Sequence, residues 1–169
     1  MDRHARILEI LSSRGQPITG SELAGRLGVS RQVVVQSVAV LRAQGHPVRS
    51  TPAGYELEGA QPEVRARAVL AVCHGPERTG EELHALVDVG LRVLDVIVEH
   101  PLYGEIRGLL LLKDHAQVDR FLERYRTEQF ALLSSLTRGV HLHTVEAAHP
   151  DQFLEGRARL RALGILVER

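Results

Sequence analysis

Residues 21–36 read Ser-Glu-Leu-Ala-Gly-Arg-Leu-Gly-Val-Ser-Arg-Gln-Val-Val-Val-Gln. Leu23 and Leu27 have the spacing of one apolar helix face, and Gly28 supplies a tight turn directly after that face. Ser30 then stands where the side chain of a capping residue opens another helix. We expect the inward stripe of this second helix to be Val34, Val38 and Leu41. Two short helices joined by a glycine turn have the geometry of a helix-turn-helix motif.

The sequence on either side of this motif extends it to a winged helix. Residues 2–14 carry apolar side chains at helical spacing, and Gly15-Gln16-Pro17 ends that helix. Thr19 or Ser21 can cap the next helix, and the third is predicted to span about 31–44. Beyond it, Pro52-Ala53-Gly54 separates two short strand-like segments, 48–51 and 55–57. These segments predict a small hairpin, the wing.

Residues 4–58 resemble the bacterial helix-turn-helix type 11 family, whose winged helix is also found on biotin-ligase repressors. The resemblance is carried by three segments, which are Glu22-Leu23-Ala24, Leu27-Gly28-Val29-Ser30-Arg31 and Pro52-Ala53-Gly54-Tyr55. It implies binding to double-stranded DNA, with the N-terminal residues of the third helix in the major groove. The alternative use of such a domain is contact with other proteins only.

Outward polar residues near the start of the third helix are candidate DNA contacts. An arginine can pair with guanine, a glutamine with adenine, and a valine can touch a thymine methyl group. Hydroxyls at helix starts can hold phosphates, and a wing arginine can reach the backbone or minor groove. The candidates are Ser21, Ser30, Arg31, Gln32, Val35, Gln36 and Arg49. For each arginine, the alternative is a solvated surface charge.

Composition places few limits on the partner. The net charge is zero, and residues 1–59 carry seven arginines against five acids, so charge permits DNA binding without requiring it. Aromatic residues make up 4% of the chain, which argues against a single-strand binder built on stacked bases. One cysteine allows no intrachain disulfide. Without a signal peptide or membrane span in the sequence, we expect a cytoplasmic protein.

The remainder of the chain predicts a second domain of strands and helices. We expect a DNA-binding domain at 1–59, a linker at Gly59-Ala60-Gln61-Pro62 and a second domain at 62–169. The predicted strands are 64–73, 91–99, 105–112, 139–146 and 165–167, and the predicted helices are 79–87, 114–134 and 151–163. The order β-α-β-β-α-β-α-β favours an α+β sandwich with its helices on one side of the sheet. This order is similar to the HPr-like fold.

His141-Leu142-His143 suggests a metal site. Successive side chains of a strand point to opposite faces, so His141 and His143 project together. His74 ends another predicted strand, and Glu82 or Glu81 could add a carboxylate. Imidazoles with a carboxylate suit Zn, Ni or Fe.

Other interpretations of these residues stay open. The two histidines can be exposed or core residues, and Glu82 also completes a Thr79-x-x-Glu82 capping box. We expect Cys73 to be a buried apolar side chain, with a thiolate ligand as the alternative.

Residues 64–167 resemble the three-histidine domain of niacin-responsive transcriptional repressors. The matching segments are His74 with Glu82, Val93-Leu94-Asp95-Val96, Glu99-His100-Pro101-Leu102-Tyr103-Gly104-Glu105, and Gly139-Val140-His141-Leu142-His143-Thr144. The resemblance implies a divalent metal on His74, Glu82, His141 and His143. It further implies a homodimer that represses genes of niacin uptake or NAD salvage from a palindromic operator, with nicotinic acid as co-repressor.

The candidate effector site follows from the same resemblance, and the rival functions follow from the chemistry of the metal site. His100 and Tyr103 are candidates for contact with nicotinic acid, although His100 can equally be a turn histidine with a backbone hydrogen bond. A three-histidine metal site is also an enzyme design. Because a DNA-binding domain precedes it and no Gly-rich phosphate loop or nucleophile elbow occurs, we expect a regulator. A repressor that senses the metal alone is the other alternative.

Overall fold

The structure is a computed structural model that describes residues 2–14, 16–58 and 66–168. It contains two compact units, Met1–Pro62 and Glu63–Arg169. The predicted linker at 59–62 and the first residues of the predicted strand at 64–73 lie outside the described residues.

The first unit is a three-helix domain with a hairpin. Its elements are α1 (Arg3–Arg14), α2 (Gly20–Leu27), α3 (Arg31–Ala43), β1 (Val48–Thr51) and β2 (Gly54–Leu57). Two helix caps confirm the sequence prediction, because Thr19 accepts from the N–H of Glu22 and Ser30 from that of Val33. Gly28 has φ 66°, the left-handed conformation that the turn requires.

The core of this unit joins the helices to the wing. The expected stripe of α3 is buried together with Ile7, Ile18 and Leu23. Ile18 and Tyr55 exchange backbone hydrogen bonds of 2.8 Å, which tie the wing to the segment before α2. Gly54 makes this approach possible, since a side chain there would collide with the carbonyl of Ile18. β1 and β2 pair antiparallel, as the wing prediction required.

The second unit is an antiparallel sheet covered by helices. Its strands are β3 (Ala66–Cys73), β4 (Arg92–His100), β5 (Gly104–Leu112) and β6 (Val140–Ala147), in the order β3-β6-β4-β5. Its helices are α4 (Thr79–Asp88), α5 (His115–Glu128) and α6 (Asp151–Ala162). The mixed architecture confirms the α+β class. None of the described helices is both long and apolar enough to cross a bilayer.

One face of this sheet carries the core. Side chains of β3, β4, β5 and β6 on that face pack with Leu83 and Leu86 of α4, Val118 of α5 and Leu160 of α6. Alternation along β6 puts His141, His143, Val145 and Ala147 on the same buried face. The two histidines therefore lie between the sheet and the helices, on the face that carries the apolar core.

Three predictions about this unit are wrong. Helix α5 ends at Glu128 rather than near 134, because Gln129 adopts φ 51°, and a 3-10 helix covers Leu133–Thr137. The predicted last strand is a single bridge between Leu166 and Val72. Cys73 is exposed rather than buried, because it pairs with Val140 on the sheet face opposite the histidines.

Candidate metal centre and DNA interface

Three separate elements bring the metal-ligand candidates of the second unit together. His74 follows the end of β3, Glu82 lies in the first turn of α4, and His141 and His143 lie on β6. All four side chains are buried, and Glu82 is 0% exposed. A fully buried carboxylate needs partners that offset the loss of its hydration.

The histidines surround the carboxylate of Glu82. The Nε2 atom of His74 lies 2.7 Å from Oε2 and that of His141 lies 3.4 Å from the same oxygen. The Nε2 atom of His143 lies 3.2 Å from Oε1. The rings of His74 and His143 each lie edge-on to that of His141, with centroids 4.9 Å apart. Three ring nitrogens thus converge on one carboxyl group.

Backbone carbonyls fix the orientation of each ring. The Nδ1 atom of His74 donates to the carbonyl of Gly75 at 2.7 Å, and that of His141 donates to the carbonyl of Gly139 at 2.8 Å. In His143, Nδ1 donates to the carbonyl of Asp95 at 2.6 Å. Because a carbonyl oxygen only accepts, Nδ1 carries the hydrogen in every ring. Each neutral ring therefore presents the lone pair of Nε2 to Glu82.

The converging atoms are then all hydrogen-bond acceptors. Glu82 Oε1 and His143 Nε2 are both buried without a hydrogen-bond partner, although they lie 3.2 Å apart. Acceptors at such distances repel each other unless a proton or a metal cation lies among them. The chemistry of this donor set fits a divalent transition metal, which accepts imidazole nitrogen and carboxylate oxygen.

The pKa values describe the cluster with protons in place of a metal. Burial disfavours the charged form of His143, but the charge and hydrogen bonding of Glu82 outweigh it and raise its pKa. The pKa of His74 is also raised, because its hydrogen bonds to Glu82 and Gly75 outweigh burial. Burial opposes ionisation of Glu82, yet the charge of His143 and the hydrogen bonds of the histidines keep its pKa well below the ordinary value.

The two candidate carboxylates have different environments. Glu82 joins His74 and His141 in a set whose ligand atoms all lie within 4.8 Å of one another, a compact group among the described residues. Glu81 is exposed and accepts from Nε of Arg78 at 2.8 Å. Of these two acids, only Glu82 contacts the histidines.

The capping box at the start of α4 is absent. Arg78 is the N-cap residue of α4 and makes no side-chain cap, since Thr79 already lies inside the helix. The hydroxyl of Thr79 is buried without a hydrogen-bond partner. Both residues of the predicted box instead face a cavity beside the histidines.

This cavity is small and largely apolar. Its volume is ≈ 30 Å³, which holds about one or two water molecules. Besides Glu82, His141 and His143 it is lined by Thr79, Leu83, Val96, Leu110, Phe121, Leu132, Leu133 and Ser134. The last three belong to residues 129–137, which we call the cover segment. Leu133 lies directly over Gly108 of β5, where a Cβ atom would be 3.0 Å from it.

His100 and Tyr103 lie at a different place, around the turn between β4 and β5. Their rings stack with centroids 4.9 Å apart, and Tyr103 is 72% exposed. Nδ1 of His100 accepts from the N–H groups of Leu102 and Tyr103 at 3.2 and 3.3 Å. Neither ring lines the cavity beside the histidines, and His100 has the backbone contacts of a turn histidine.

The role of Asp95 was not predicted from the sequence. Its carbonyl orients His143, while its carboxylate accepts from the backbone N–H of Thr144 at 2.9 Å and from Arg107 at 2.6 Å. An acid in the middle of the apolar segment Leu91–Val98 was the available signal. The cover segment gave no comparable signal.

The DNA-contact candidates of the first unit lie on α2, α3 and the wing. Ser21, Arg31, Gln32 and Gln36 are exposed, and Val35 is 41% exposed. The exposed Ser30 caps α3. Arg31 lies against the start of α2, since a Cβ atom on Gly20 would be 3.5 Å from its Nε.

The wing arginine has a partner within the domain. Arg49 donates from Nε to Oε1 of Glu56 at 2.9 Å, and its terminal nitrogen contacts the same oxygen. Contact with DNA would therefore compete with this ion pair. Arg42 of α3 donates to the carbonyl of Val48 and the hydroxyl of Ser50, each at 2.7 Å, which holds the wing against α3.

Known proteins resemble this chain along nearly its whole length. The 3H domain family matches residues 67–169, and the HTH domain family matches residues 3–56. The chain is 40% identical to the "Probable transcription repressor NiaR" of Thermotoga maritima and 38% identical to the "Transcription repressor NadR" of Bacillus subtilis. Each alignment covers 99% of this chain and 94% of the relative. The chain therefore belongs to the family of transcription repressors that join an N-terminal helix-turn-helix DNA-binding domain to a C-terminal 3H domain.

Proposed function

We propose that this repressor holds one divalent transition metal ion on His74, Glu82, His141 and His143 and binds nicotinic acid beside it. In that state it binds a palindromic operator as a homodimer and represses genes of niacin uptake or NAD salvage. The observation that carries the proposal is the buried cluster in which three Nε2 lone pairs face one carboxylate. Both named relatives are transcription repressors, so regulation rather than catalysis is the activity that the cluster serves.

A metal held by these four residues would supply Lewis acidity beside the cavity, which Glu82, His141 and His143 line. Nicotinic acid suits such a metal because its carboxylate and its ring nitrogen are both possible ligands. The apolar side chains of Val96, Leu110 and Phe121 would contact a flat ring. The effector's identity comes from the resemblance to niacin-responsive repressors, and the cavity chemistry is compatible with it.

Nicotinic acid cannot enter the cavity at its present volume. A space of ≈ 30 Å³ is too small for a pyridine ring, so residues on its wall must move. Of the residues that line the cavity, those of the cover segment lie outside the α-helices and strands and include only a 3-10 turn. Displacement of the cover segment by the effector would make the ligated and unligated conformations different, which an allosteric response requires.

A repressor that senses the metal alone is the second candidate, and the same small cavity favours it. A metal ion would fit the histidine cluster without displacement of the cover segment. Thermal unfolding of the metal-free protein, with zinc and nicotinic acid added separately and together, distinguishes the two candidates. Benzoic acid is the matched control, because it has the carboxylate and the ring but lacks the ring nitrogen.

We expect zinc to raise the thermal midpoint and nicotinic acid to raise it further only when zinc is present. Benzoic acid should add less. If saturating nicotinic acid adds nothing to the zinc-loaded protein, the metal-sensing candidate replaces the niacin proposal. If zinc itself has no effect, the metal site is wrong.

A further inference from the structure

Exposed apolar side chains of the first unit are concentrated on α3. Among its described residues, Val35 and Val40 are the large apolar side chains left exposed, at 41% and 42%. Val34, Val38 and Leu41 of the same helix are buried in the core. Helix α3 therefore presents apolar groups on its outer side as well as its inner side.

These exposed valines contribute little to the stability of the isolated domain. The branched Cβ of valine restricts χ1 and makes it a poorer helix former than alanine. An exposed valine also buries too little surface to offset that disadvantage. On the helix that enters the major groove in this kind of domain, these valines are available for apolar contact with base edges.

Each exposed valine has an exposed glutamine as its neighbour. Gln32 and Val35 are three residues apart and Gln36 and Val40 are four apart, so each pair shares a helix face. The two glutamines are one turn apart, a rise of about 6 Å. Two base-pair steps of DNA span about 6.8 Å along one strand. The two amide–valine pairs thus have a spacing close to that of nearby base pairs.

The two arginines of α3 occupy less of its exposed side than these amide–valine pairs do. Arg31 stands at the beginning of α3, against the start of α2. The guanidinium of Arg42 is engaged by Val48 and Ser50 of the wing. Arginine to guanine is the commonest direct contact in the major groove, so α3, which leaves only the exposed Arg31 available among its two arginines, is suited to few G·C contacts.

An A·T base pair matches an amide–valine pair. Adenine offers an acceptor at N7 and a donor at N6, which a glutamine amide can bind together, and thymine offers a methyl group. We propose that α3 reads A·T base pairs in each half-site, with Val35 and Val40 packed on thymine methyl groups and Gln32 and Gln36 bonded to adenine. This inference rests on the proposed function in one respect, which is specific binding to duplex DNA.

The experiment uses the full chain with zinc and nicotinic acid present. A library of duplexes with a random central segment is selected on the protein, and the recovered duplex is resynthesised with deoxyuridine replacing thymidine at one position at a time. Uracil keeps the base pair and removes only the methyl group. Wild type is compared with Val35→Ala and Val40→Ala. Val69→Ala, which changes a valine 55% exposed in the second unit, is the control.

We expect one uracil replacement per valine to weaken wild-type binding about fourfold, the value of one buried methyl group. The same replacement should have no effect on the variant that lacks the contacting valine, whereas Val69→Ala should respond like wild type. Equal binding of thymine and uracil duplexes at every A·T position would overturn the inference while specific DNA binding stands. Recovery of no preferred sequence would instead overturn the proposed function, and this inference with it.

Discussion

Among the individual residues, the positions of the hydrogens on the three imidazole rings determine what the cluster around Glu82 can bind. Each Nδ1 donates to a carbonyl, so the three Nε2 atoms are available as ligands without any change of tautomer. Purified protein should therefore contain close to one divalent metal ion per chain. His143→Ala should lose it, because the change removes one of the nitrogen ligands, while circular dichroism should remain that of the wild type.

His149→Ala is the matched control for this measurement. His149 is exposed and lies outside the cluster, so its removal should leave the metal content unchanged. Elemental analysis after reconstitution with zinc, nickel or iron gives the stoichiometry. Wild-type protein that retains no metal under any of these conditions would refute the site.

Protons and metal compete for the same atoms, which predicts a pH dependence of the metal-free protein. His143 has a raised pKa, so its contribution to the free energy of unfolding is complete below the ordinary 6.5 and is lost as pH rises through the raised value. Glu82 has a lowered pKa, so its contribution is complete above the ordinary 4.5 and is lost as pH falls through the lowered value. The metal-free cluster should stabilise the fold most between these two ordinary values.

The measurement is the thermal midpoint of wild type and His143→Ala between pH 5 and pH 9, with a chelator or with zinc. With chelator, the advantage of wild type over the variant should shrink as pH rises above 6.5. With zinc it should persist, since deprotonated imidazoles bind the metal. If the thermal midpoint of the metal-free wild type rises further above that of His143→Ala toward pH 9, the assignment of protons to the cluster is contradicted.

At the scale of the element, Thr79 distinguishes a helix cap from a cavity wall. A capping threonine stabilises its helix by about 1 kcal/mol. A buried hydroxyl without a partner costs at least as much. We expect Thr79→Val to leave the free energy of unfolding unchanged or to raise it by about 1 kcal/mol, because its hydroxyl has no hydrogen-bond partner.

Thr19→Val is the control for that prediction, since Thr19 accepts from the N–H of Glu22 at 3.1 Å and caps α2. It should lower the free energy of unfolding by about 1 kcal/mol in denaturant titrations. Similar losses in both variants would restore the capping role that the structure denies to Thr79.

Local chemistry explains which elements could be predicted from the sequence. Thr19 and Ser30 cap their helices as expected, because a hydroxyl before an apolar run satisfies exposed N–H groups, and Asp114 caps α5 in the same way. The end of α5 was not predictable in this way. It depends on a left-handed Gln129, which carries no glycine signal, and on the packing of Leu133 over Gly108.

The candidate site was likewise predictable from the sequence only in part. Strand alternation predicted that His141 and His143 share a face, and the sequence offered His74 with Glu82 or Glu81 as partners, which the resemblance then supported. The choice between Glu81 and Glu82 required the rotation of α4 against the sheet, which no local pattern encodes. The carbonyls that orient the rings and the cavity under the cover segment come from chain packing at long range.

In the whole molecule, the proposed function couples a buried cluster to operator binding. A palindromic operator presents two half-sites about 34 Å apart, so two recognition helices of a homodimer must match that spacing. An effector can change operator affinity only by binding the two conformations of the protein unequally. Displacement of the cover segment by nicotinic acid would provide that inequality.

Titration of operator DNA with zinc-loaded protein, with and without nicotinic acid, tests this coupling most directly. Nicotinic acid should tighten operator binding by about 5–150-fold, and operator should tighten nicotinic acid binding by the same factor. His143→Ala should lose this effect and keep only weak, salt-sensitive binding through the winged helix. Superimposable wild-type curves at saturating nicotinic acid would contradict the proposed coupling.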